Sequence, residues 1–300
     1  MDTKPRVNDN ISLDSILLTT DFSKASLRAL PYARQIAHRF GSKLYIAHIV
    51  PPEDYPSGLN SIDEAAQVAC GEAQLRLRAL VESAPFHEIP HETFVGYGDI
   101  WIGLTAFMHQ HAIDLLVMGT NGRSGLKKFL LGSVAEEAMR ESRCPVLTVG
   151  PEIHSAEHPG FRQILYATDF SAESVTALPY ALSLSEKFSS RLTLVHVLEG
   201  LPASPYLDAQ MARVRLRELV PRRPALRIEP GLVVEMGAPP EVILKAAEDA
   251  QSELIVIGAR GAGALARLAS HFGSVAHKIV CRAFCPVLTV RPSTDGEQRQ

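Results

Sequence analysis

The sequence predicts an α/β protein made of two doubly wound domains. Three observations lead to this fold class: the chain is 300 residues long, its second half repeats its first, and short apolar runs alternate with longer amphipathic runs. A chain of this length usually divides into two domains with separate cores. Strands that alternate with helices pair in parallel through right-handed crossovers, so each domain is predicted to be a parallel sheet covered by helices on both faces.

The repeat sets the domain boundaries. Residues 16–50 align without a gap with residues 164–198 and are identical to them at 16 of 35 positions. Two further matches follow in the same order, DLLVMGTNG at 114–122 with ELIVIGARG at 253–261, and CPVLTV at 144–149 with CPVLTV at 285–290. The period of about 140 to 148 residues is the size of a domain. We therefore predict one domain at 11–150 and a second at 161–292, joined by a segment of linker composition.

Within the first copy, five short runs predict strands and four amphipathic runs predict helices. Several of the short runs are almost continuously apolar, which is typical of strands buried on both faces. In chain order the predicted strands are ILLTT (16–20), KLYIAHIV (43–50), HETFVGY (91–97), DLLVMGT (114–120) and PVLTV (145–149). The predicted helices cover 26–40, 64–83, 100–112 and 134–142.

Composition and charge exclude several classes of function. The formal net charge of −3 gives no overall basic field of the kind that draws a protein to nucleic acid or to anionic lipid. No apolar stretch reaches the roughly 20 residues needed to cross a bilayer, and no secretory leader is recognisable, so we expect a cytoplasmic protein without membrane or nucleic-acid partners. Four cysteines are too few for a disulfide framework, which fits a reducing compartment.

A glycine cluster follows the fourth predicted strand. Gly119 ends the strand, Gly122 follows, and Gly132 with Ser133 precedes the next predicted helix. In doubly wound sheets ligands bind beyond the carboxyl ends of the strands, and unpaired amides at a helix start favour a phosphate. The spacing is neither GxxxxGK[ST] nor GxGxxG. An alternative without a ligand remains open, because Ser133 and Glu136 also form the S-x-x-E pattern of a capping box.

Asp21, at the carboxyl end of the first strand, is a second candidate for ligand binding. A carboxylate there can accept a hydrogen bond from a hydroxyl or an exocyclic amine. The alternative is that Asp21 caps the following helix, but Ser23 can supply that cap. We therefore favour a binding role for Asp21.

These motifs together resemble the universal stress protein family in a tandem form. The resemblance rests on the spacing G-x2-G-x9-G-S after DLLVMGT, on the closing CPVLTV and on the first strand ending in TTDFS. It extends over almost the whole chain. It implies an adenine-nucleotide-binding fold with five parallel strands in the order 3-2-1-4-5. Many members of the family bind ATP and others do not.

The resemblance also implies a set of site residues in the first copy. ATP is the expected cofactor, and Mg²⁺ can accompany its phosphates. The adenosine side is expected at Thr20, Asp21, Ile49, Met118 and Gly119, and the phosphate side at Gly122, Gly132, Ser133 and Val134.

The second copy departs from this pattern in its phosphate half. Eleven residues, not nine, separate Gly261 from Gly273. A longer connection can shift the phosphate-facing amides, so two interpretations stay open, a second nucleotide site and a structural partner domain with an empty cleft. The residues of the possible second site are Thr168, Asp169, Val197, Ile257, Gly258, Gly261, Gly273 and Ser274.

No catalytic or metal-binding constellation is recognisable. Neither Ser23 nor Ser133 has an identifiable base with an orienting acid. His277, Cys281 and Cys285 recur every four residues, as zinc ligands on a helix would, but Pro286 should already have ended that helix, so buried apolar cysteines are the favoured interpretation. His48 and His196 occupy matching strand ends, where we expect them to be satisfied by hydrogen bonds.

We therefore predict an ATP-binding stress-response protein that acts as a sensor or regulator through a protein partner and is not an enzyme. The alternatives are a nucleotide-free interaction scaffold, at least in the second domain, and a weak ATPase or adenylating enzyme of the related adenine-nucleotide alpha-hydrolase lineage. The two CPVLTV strands are apolar sheet edges, so we predict that they pair antiparallel and close an intramolecular pseudo-dimer, with a further homodimer left open.

Overall fold

The computed structural model describes residues 11–84, 86, 88–120, 131–151, 153, 160–200, 204–220, 229–259 and 275–292. These residues form two compact units. The N-terminal unit lies within Leu13–Pro159, and the C-terminal unit extends from Gly160 onward and also includes Ile11 and Ser12.

The N-terminal unit is a parallel five-stranded sheet with helices between the strands. Its strands are β1 (Ser15–Thr19), β2 (Lys43–Val50), β3 (His91–Tyr97), β4 (Leu115–Gly119) and β5 (Val146–Val149). Its helices are α1 (Lys24–Leu27), α2 (Leu30–Phe40), α3 (Ile62–Ser83), α4 (Ile100–Gln110) and α5 (Ser133–Glu141). The strand order is β3-β2-β1-β4-β5 and every pair is parallel.

The C-terminal unit repeats this architecture. Its strands are β6 (Gln163–Ala167), β7 (Arg191–Leu198), β8 (Gly231–Met236), β9 (Leu254–Gly258) and β10 (Val287–Val290). Its helices are α6 (Ala172–Val175), α7 (Leu178–Phe188), α8 (Pro205–Leu219), α9 (Pro239–Asp249) and α10 (Val275–Arg282). The order β8-β7-β6-β9-β10, again parallel throughout, confirms the predicted fold of two repeated sheets with the order 3-2-1-4-5.

One predicted helix proves to be two. The sequence predicts a single helix over 26–40, whereas α1 ends at Leu27 and α2 begins at Leu30. Pro31 lies in the first turn of α2. Because proline has no N–H to donate to the preceding turn and clashes with it, it is tolerated at a helix start and not in a helix interior. The prediction of one continuous helix was therefore wrong.

The central strands are buried on both faces. Ile16, Leu17 and Leu18 in β1 are fully buried, and β4 is buried over its first four residues. Because both faces of β1 are covered, consecutive residues of the strand are all apolar. This agrees with the nearly continuous apolar runs from which the strands were predicted.

Glycine ends β4 and β9 because a helix approaches each strand end closely. A Cβ at Gly119 would lie 2.9 Å from the Cα of Ser26 and 3.0 Å from the carbonyl oxygen of Ala25, both in α1. At Gly258 the corresponding distance to the Cα of Ser174 is 2.5 Å. The family resemblance implied that Gly119 contacts the adenosine part of a nucleotide. The structure gives it a packing role that needs no ligand.

We expect Gly119→Ala to lower the free energy of unfolding of the N-terminal unit by about 1–3 kcal/mol, because the clash is with main-chain atoms that cannot rotate away. Urea denaturation followed by circular dichroism measures this. The matched control is Gly71→Ala in α3, where a Cβ meets nothing within 4 Å. Because alanine is favoured over glycine inside a helix, Gly71→Ala should raise the free energy of unfolding by roughly 0.5–1 kcal/mol. Equal stability of Gly119→Ala and the wild type would contradict the packing role.

Candidate functional site

A cavity of about 410 Å³ opens at the carboxyl edge of the N-terminal sheet. Its walls come from the ends of β1, β2 and β4, from α4, and from the start of α5. Parallel pairing brings these strand ends to one edge. The Gly132 N–H donates to the Thr120 carbonyl (2.8 Å), which holds the start of α5 beside the end of β4. The volume falls within the range of small-molecule sites.

Eight of the nine site residues predicted for the first copy line this cavity. They are Thr20, Asp21, Ile49, Met118, Gly119, Gly132, Ser133 and Val134. The ninth, Gly122, lies outside the described residues. The residues are thus brought together in one place, and their role as nucleotide contacts stays a prediction.

The start of α5 forms one end of the cavity. The helix begins at Ser133, and its N-cap residue is Gly132, which has no side chain to cap the helix. Ser133 is therefore the first helical residue and not the cap, so the capping-box interpretation of Ser133 and Glu136 was wrong. The N–H groups of the first three helical residues, Ser133, Val134 and Ala135, have no partner within the helix. Since these residues line the cavity, their amides and the positive end of the helix dipole favour an anion there.

Apolar side chains form a second wall. Ile49, Leu104 and Met118 line the cavity and are at least 95% buried, and Ile100 lies beside them. Sequence analysis missed Ile100 and Leu104, which belong to α4. A signal existed, because α4 starts directly after the carboxyl end of β3 and must therefore begin at the functional edge of the sheet.

A hydrogen-bonded turn at the end of β1 carries Thr20 and Asp21. The Ser23 hydroxyl accepts from the Ser26 N–H (3.1 Å) and caps α1, which confirms that Ser23 supplies the cap. The Ser23 N–H in turn donates to Oδ1 of Asp21 (2.9 Å). The Thr20 hydroxyl is hydrogen-bonded to the Ser26 hydroxyl (3.0 Å). Nδ1 of the buried His48 donates to the Thr20 carbonyl (2.7 Å), so this strand-end histidine is satisfied as predicted.

The cavity lining also contains three carboxylates. Besides Asp21 these are Glu53 and Asp54, which follow β2 in a short 3₁₀ turn at Pro52–Asp54 and were not predicted as site residues. No Lys or Arg occurs in the lining that the structure describes. Within that lining, the positive potential comes from the N-terminus of α5. The basic residues Arg123, Lys127 and Lys128 lie outside the described residues.

In the C-terminal unit the adenosine half of the predicted second site has the same local geometry. The Thr168 hydroxyl is hydrogen-bonded to that of Ser174 (2.8 Å), the Ser171 N–H donates to Oδ1 of Asp169 (2.9 Å), and Nδ1 of His196 donates to the Thr168 carbonyl (2.9 Å). Val197 lies in β7, and Ile257 and Gly258 end β9. The predicted phosphate half, Gly261, Gly273 and Ser274, lies outside the described residues.

His277, Cys281 and Cys285 are the residues singled out in the sequence near the C-terminus, and Cys285 is buried whereas Cys281 is partly buried. Burial raises the pKa of Cys285 to about 12, so its thiol stays protonated. Cys281 Sγ lies 3.8 Å from Nε2 of His277. Among the residues that the structure describes, no group of three or more His, Cys, Asp or Glu is placed to hold a metal ion. No helix within the described ranges is long and apolar enough to cross a membrane.

The fold and the cavity define a class, the doubly wound α/β proteins with a small-molecule cavity at the carboxyl edge of the sheet. The sequence then identifies the family. The model of the universal stress protein family matches residues 13–150 and 160–291. The chain therefore belongs to the universal stress protein family and contains two copies of its domain.

Individual relatives agree with this assignment. A universal stress protein from Methanocaldococcus jannaschii is 32% identical over 137 residues, which cover 45% of this chain and 80% of the relative. One from Mycolicibacterium smegmatis is 24% identical over 295 residues and covers 92% of this chain and 97% of its own length. The crystal structure of a universal stress protein from Archaeoglobus fulgidus matches with a TM-score of 0.74 and 24% identity, covering 94% of this chain and 99% of that chain. This likeness supports the fold.

We expect Ser171→Ala to raise the pKa of Asp169. Burial raises this pKa, but hydrogen bonds from the Ser171 hydroxyl (2.5 Å) and N–H outweigh it, so the net pKa lies below the ordinary 3.8. Because the pKa of Asp169 is lower in the folded protein than in the unfolded chain, the ionised carboxylate stabilises the folded protein at pH values above the unfolded-state pKa. This stabilisation is lost as the pH falls through the folded-state pKa. An NMR pH titration of the Asp169 carboxyl carbon measures the change. Ser171→Thr, which keeps the hydroxyl, is the control, and an unchanged pKa in Ser171→Ala would refute the assignment.

Proposed function

We propose that the N-terminal unit binds an adenine nucleotide, with the base against the apolar wall and the phosphates at the start of α5. The observation that carries this proposal is that the N-terminus of α5, whose N-cap residue is a glycine, and the apolar wall line the same cavity. An adenine nucleotide has a planar base, whose faces can pack against apolar side chains, and an anionic phosphate end, so it can contact both walls at once.

The phosphate end is supported by backbone geometry. The amides of Ser133, Val134 and Ala135 are donors without helical acceptors, and the exposed hydroxyl of Ser133 adds another donor. Hydrogen bonds from backbone amides to a charged acceptor are stronger than those between neutral groups. They also compensate for the three carboxylates of the lining, which repel phosphate. Mg²⁺ carried by the phosphates would reduce this repulsion further.

The adenosine end is supported by the apolar wall and by Asp21. Ile49, Leu104 and Met118 offer buried apolar surface to a base. Asp21 has two carboxylate oxygens, each able to accept more than one hydrogen bond, and the Ser23 N–H is bonded to Oδ1. The carboxylate at the cavity can therefore accept from a ribose hydroxyl. Membership of the universal stress protein family makes an adenine nucleotide, and ATP in particular, the expected ligand.

We further propose that the protein binds the nucleotide without turning it over rapidly, and that a protein partner responds to its occupancy. The arrangement of the cavity's polar groups supports a binding role. The hydroxyls of Thr20 and Ser26 are hydrogen-bonded to each other, and Nδ1 of His48 donates a hydrogen bond to the main-chain carbonyl of Thr20. Neither hydroxyl is paired through these bonds with a base that would activate it for attack on a phosphate.

We expect Ser133→Pro to bind ATP about tenfold more weakly than Ser133→Ala, because proline removes the amide donor as well as the hydroxyl, and a hydrogen bond to a charged group contributes at least about 1.5 kcal/mol. Proline is favoured at the first helical position, and Gly132 has the extended backbone (ψ 152°) that precedes a proline, so the helix should persist. Isothermal titration calorimetry with ATP and Mg²⁺ measures both affinities.

The same titration tests the proposal as a whole. The wild type should release or absorb heat and saturate, and a stoichiometry near one would locate binding in a single unit. Equal affinities for the proline and alanine variants would show that the phosphates do not bind at the start of α5. A wild type that binds no ATP in equilibrium dialysis would overturn the proposal and favour the nucleotide-free scaffold. Chromatography of the nucleotide after long incubation tests slow hydrolysis.

A further inference from the structure

In both units the phenylalanine of the TDFS motif has a left-handed backbone. Phe22 has a φ of 63° and Phe170 a φ of 62°. This region is sterically costly for a bulky residue, and such a conformation persists only where neighbouring contacts hold it. Phe22 directly follows Thr20 and Asp21, which line the cavity. The backbone of Phe22 therefore helps to decide where the Asp21 carboxylate lies.

Two side chains from other elements contact the Phe22 ring. The ring centroids of Phe22 and His48 are 4.6 Å apart, and the guanidinium carbon of Arg76, on α3, lies over the Phe22 ring at 4.0 Å from its centroid. We call Phe22, His48 and Arg76 the first clasp. The Phe22 N–H donates to the Thr20 hydroxyl (2.9 Å), and His48 donates to the Thr20 carbonyl. The first clasp is thus joined directly to a residue of the cavity.

The C-terminal unit contains the same arrangement. Phe170, His196 and Arg215 form the second clasp, with 4.4 Å between the Phe170 and His196 ring centroids and 4.0 Å from the Arg215 guanidinium carbon to the Phe170 centroid. Arg215 lies on α8, the counterpart of α3. The Phe170 N–H again donates to the preceding threonine hydroxyl, that of Thr168 (3.0 Å).

The arginine contact recurs although the chain between its partners differs in length. Phe22 and Arg76 are 54 residues apart in the sequence, whereas Phe170 and Arg215 are 45 residues apart. Both units nevertheless reach a distance of 4.0 Å. The contact between arginine and phenylalanine is therefore not a consequence of equal spacing in the sequence. Its recurrence indicates that the TDFS turn requires it.

We propose that Phe22 and Arg76 are positioning residues that hold the TDFS turn in its left-handed form and thereby place Asp21 at the ligand. Phe170 and Arg215 do the same for Asp169. A cation over an aromatic face is attracted to it, and this attraction offsets the steric cost of a positive φ. If the clasp is lost, fewer molecules hold the turn in place, and the apparent Kd rises by the inverse of that fraction. The identity of the ligand rests on the proposed function above.

Two substitutions at Phe22 distinguish the contribution of its aromatic ring from that of its backbone conformation. Phe22→Ala removes the ring but leaves a residue that disfavours a positive φ, whereas Phe22→Gly removes the ring and accepts this conformation at no steric cost. We expect Phe22→Gly to bind ATP about fivefold more tightly than Phe22→Ala in calorimetry, with both weaker than the wild type. Equal affinities for the glycine and alanine variants would show that the left-handed conformation of the turn does not control binding, and that result would overturn the proposal.

Substitutions on α3 test the cation. Arg76→Gln should weaken ATP binding by roughly threefold to fivefold, and Arg76→Lys, which keeps a cation, should recover most of the loss. Arg78→Gln is the matched control, because Arg78 is an exposed arginine two residues further along the same helix and is not part of the clasp. Equal affinities for Arg76→Gln, Arg78→Gln and the wild type would contradict the role of Arg76.

A measurement without nucleotide distinguishes failure of the clasp from failure of the proposed function. The Phe22 ring lies 4.6 Å from the His48 ring, so its ring current is expected to shift the NMR signal of the His48 ring, which His48→Gln assigns. We expect this signal to move in Arg76→Gln and to stay in place in Arg78→Gln. If the wild type binds no ATP, the proposed function fails. The His48 signal alone then shows whether Arg76 holds the Phe22 ring in the first clasp. An unmoved signal in Arg76→Gln would then refute it.

Discussion

The parallel pairing of β1 with both β2 and β4 is the constraint on which the site depends. It brings three carboxyl strand ends to one edge, and each end contributes a different chemistry. The end of β1 carries a carboxylate and a hydroxyl, the end of β2 an apolar residue, and the connection after β4 leads to the N-terminus of α5. No single segment of the chain contains all of these groups. The sheet order therefore creates the cavity, and the individual motifs supply its walls.

The same constraint explains why glycine ends β4. Helix α1 comes so close to the end of β4 that a Cβ on Gly119 would clash with the main chain of the helix. The close approach recurs at the end of β9. Part of the glycine pattern that resembles a nucleotide-binding motif thus belongs to the fold itself. The groups that favour a ligand are the amides at the start of α5 and the part of the apolar wall that faces the cavity, although the side chains of that wall also belong to the hydrophobic core of the unit.

The sequence predicted the elements of the fold, and eight of its nine predicted site residues line the cavity, whereas its misses have local causes. The bounds of β2 and β3 agree with the predicted runs 43–50 and 91–97, because apolar periodicity and flanking turn residues define them. Pro31 was overlooked as a break between two helices. Leu104 and Glu53 reach the cavity only through the packing of α4 and of the turn after β2, which periodicity does not reveal. Ser133 was compatible with a cap or a ligand, and only the observed start of α5 excluded the cap.

The central claim is that one ligand contacts the apolar wall and the start of α5 at the same time. An NMR titration of the full-length protein with ATP and Mg²⁺ tests it most directly, with signals followed for the methyl groups of Ile49, Leu104 and Met118 and for the amides of Ser133, Val134 and Ala135. The account predicts that both sets of signals shift together along one saturable curve. Shifts in only one set, or none at millimolar ATP, would contradict it.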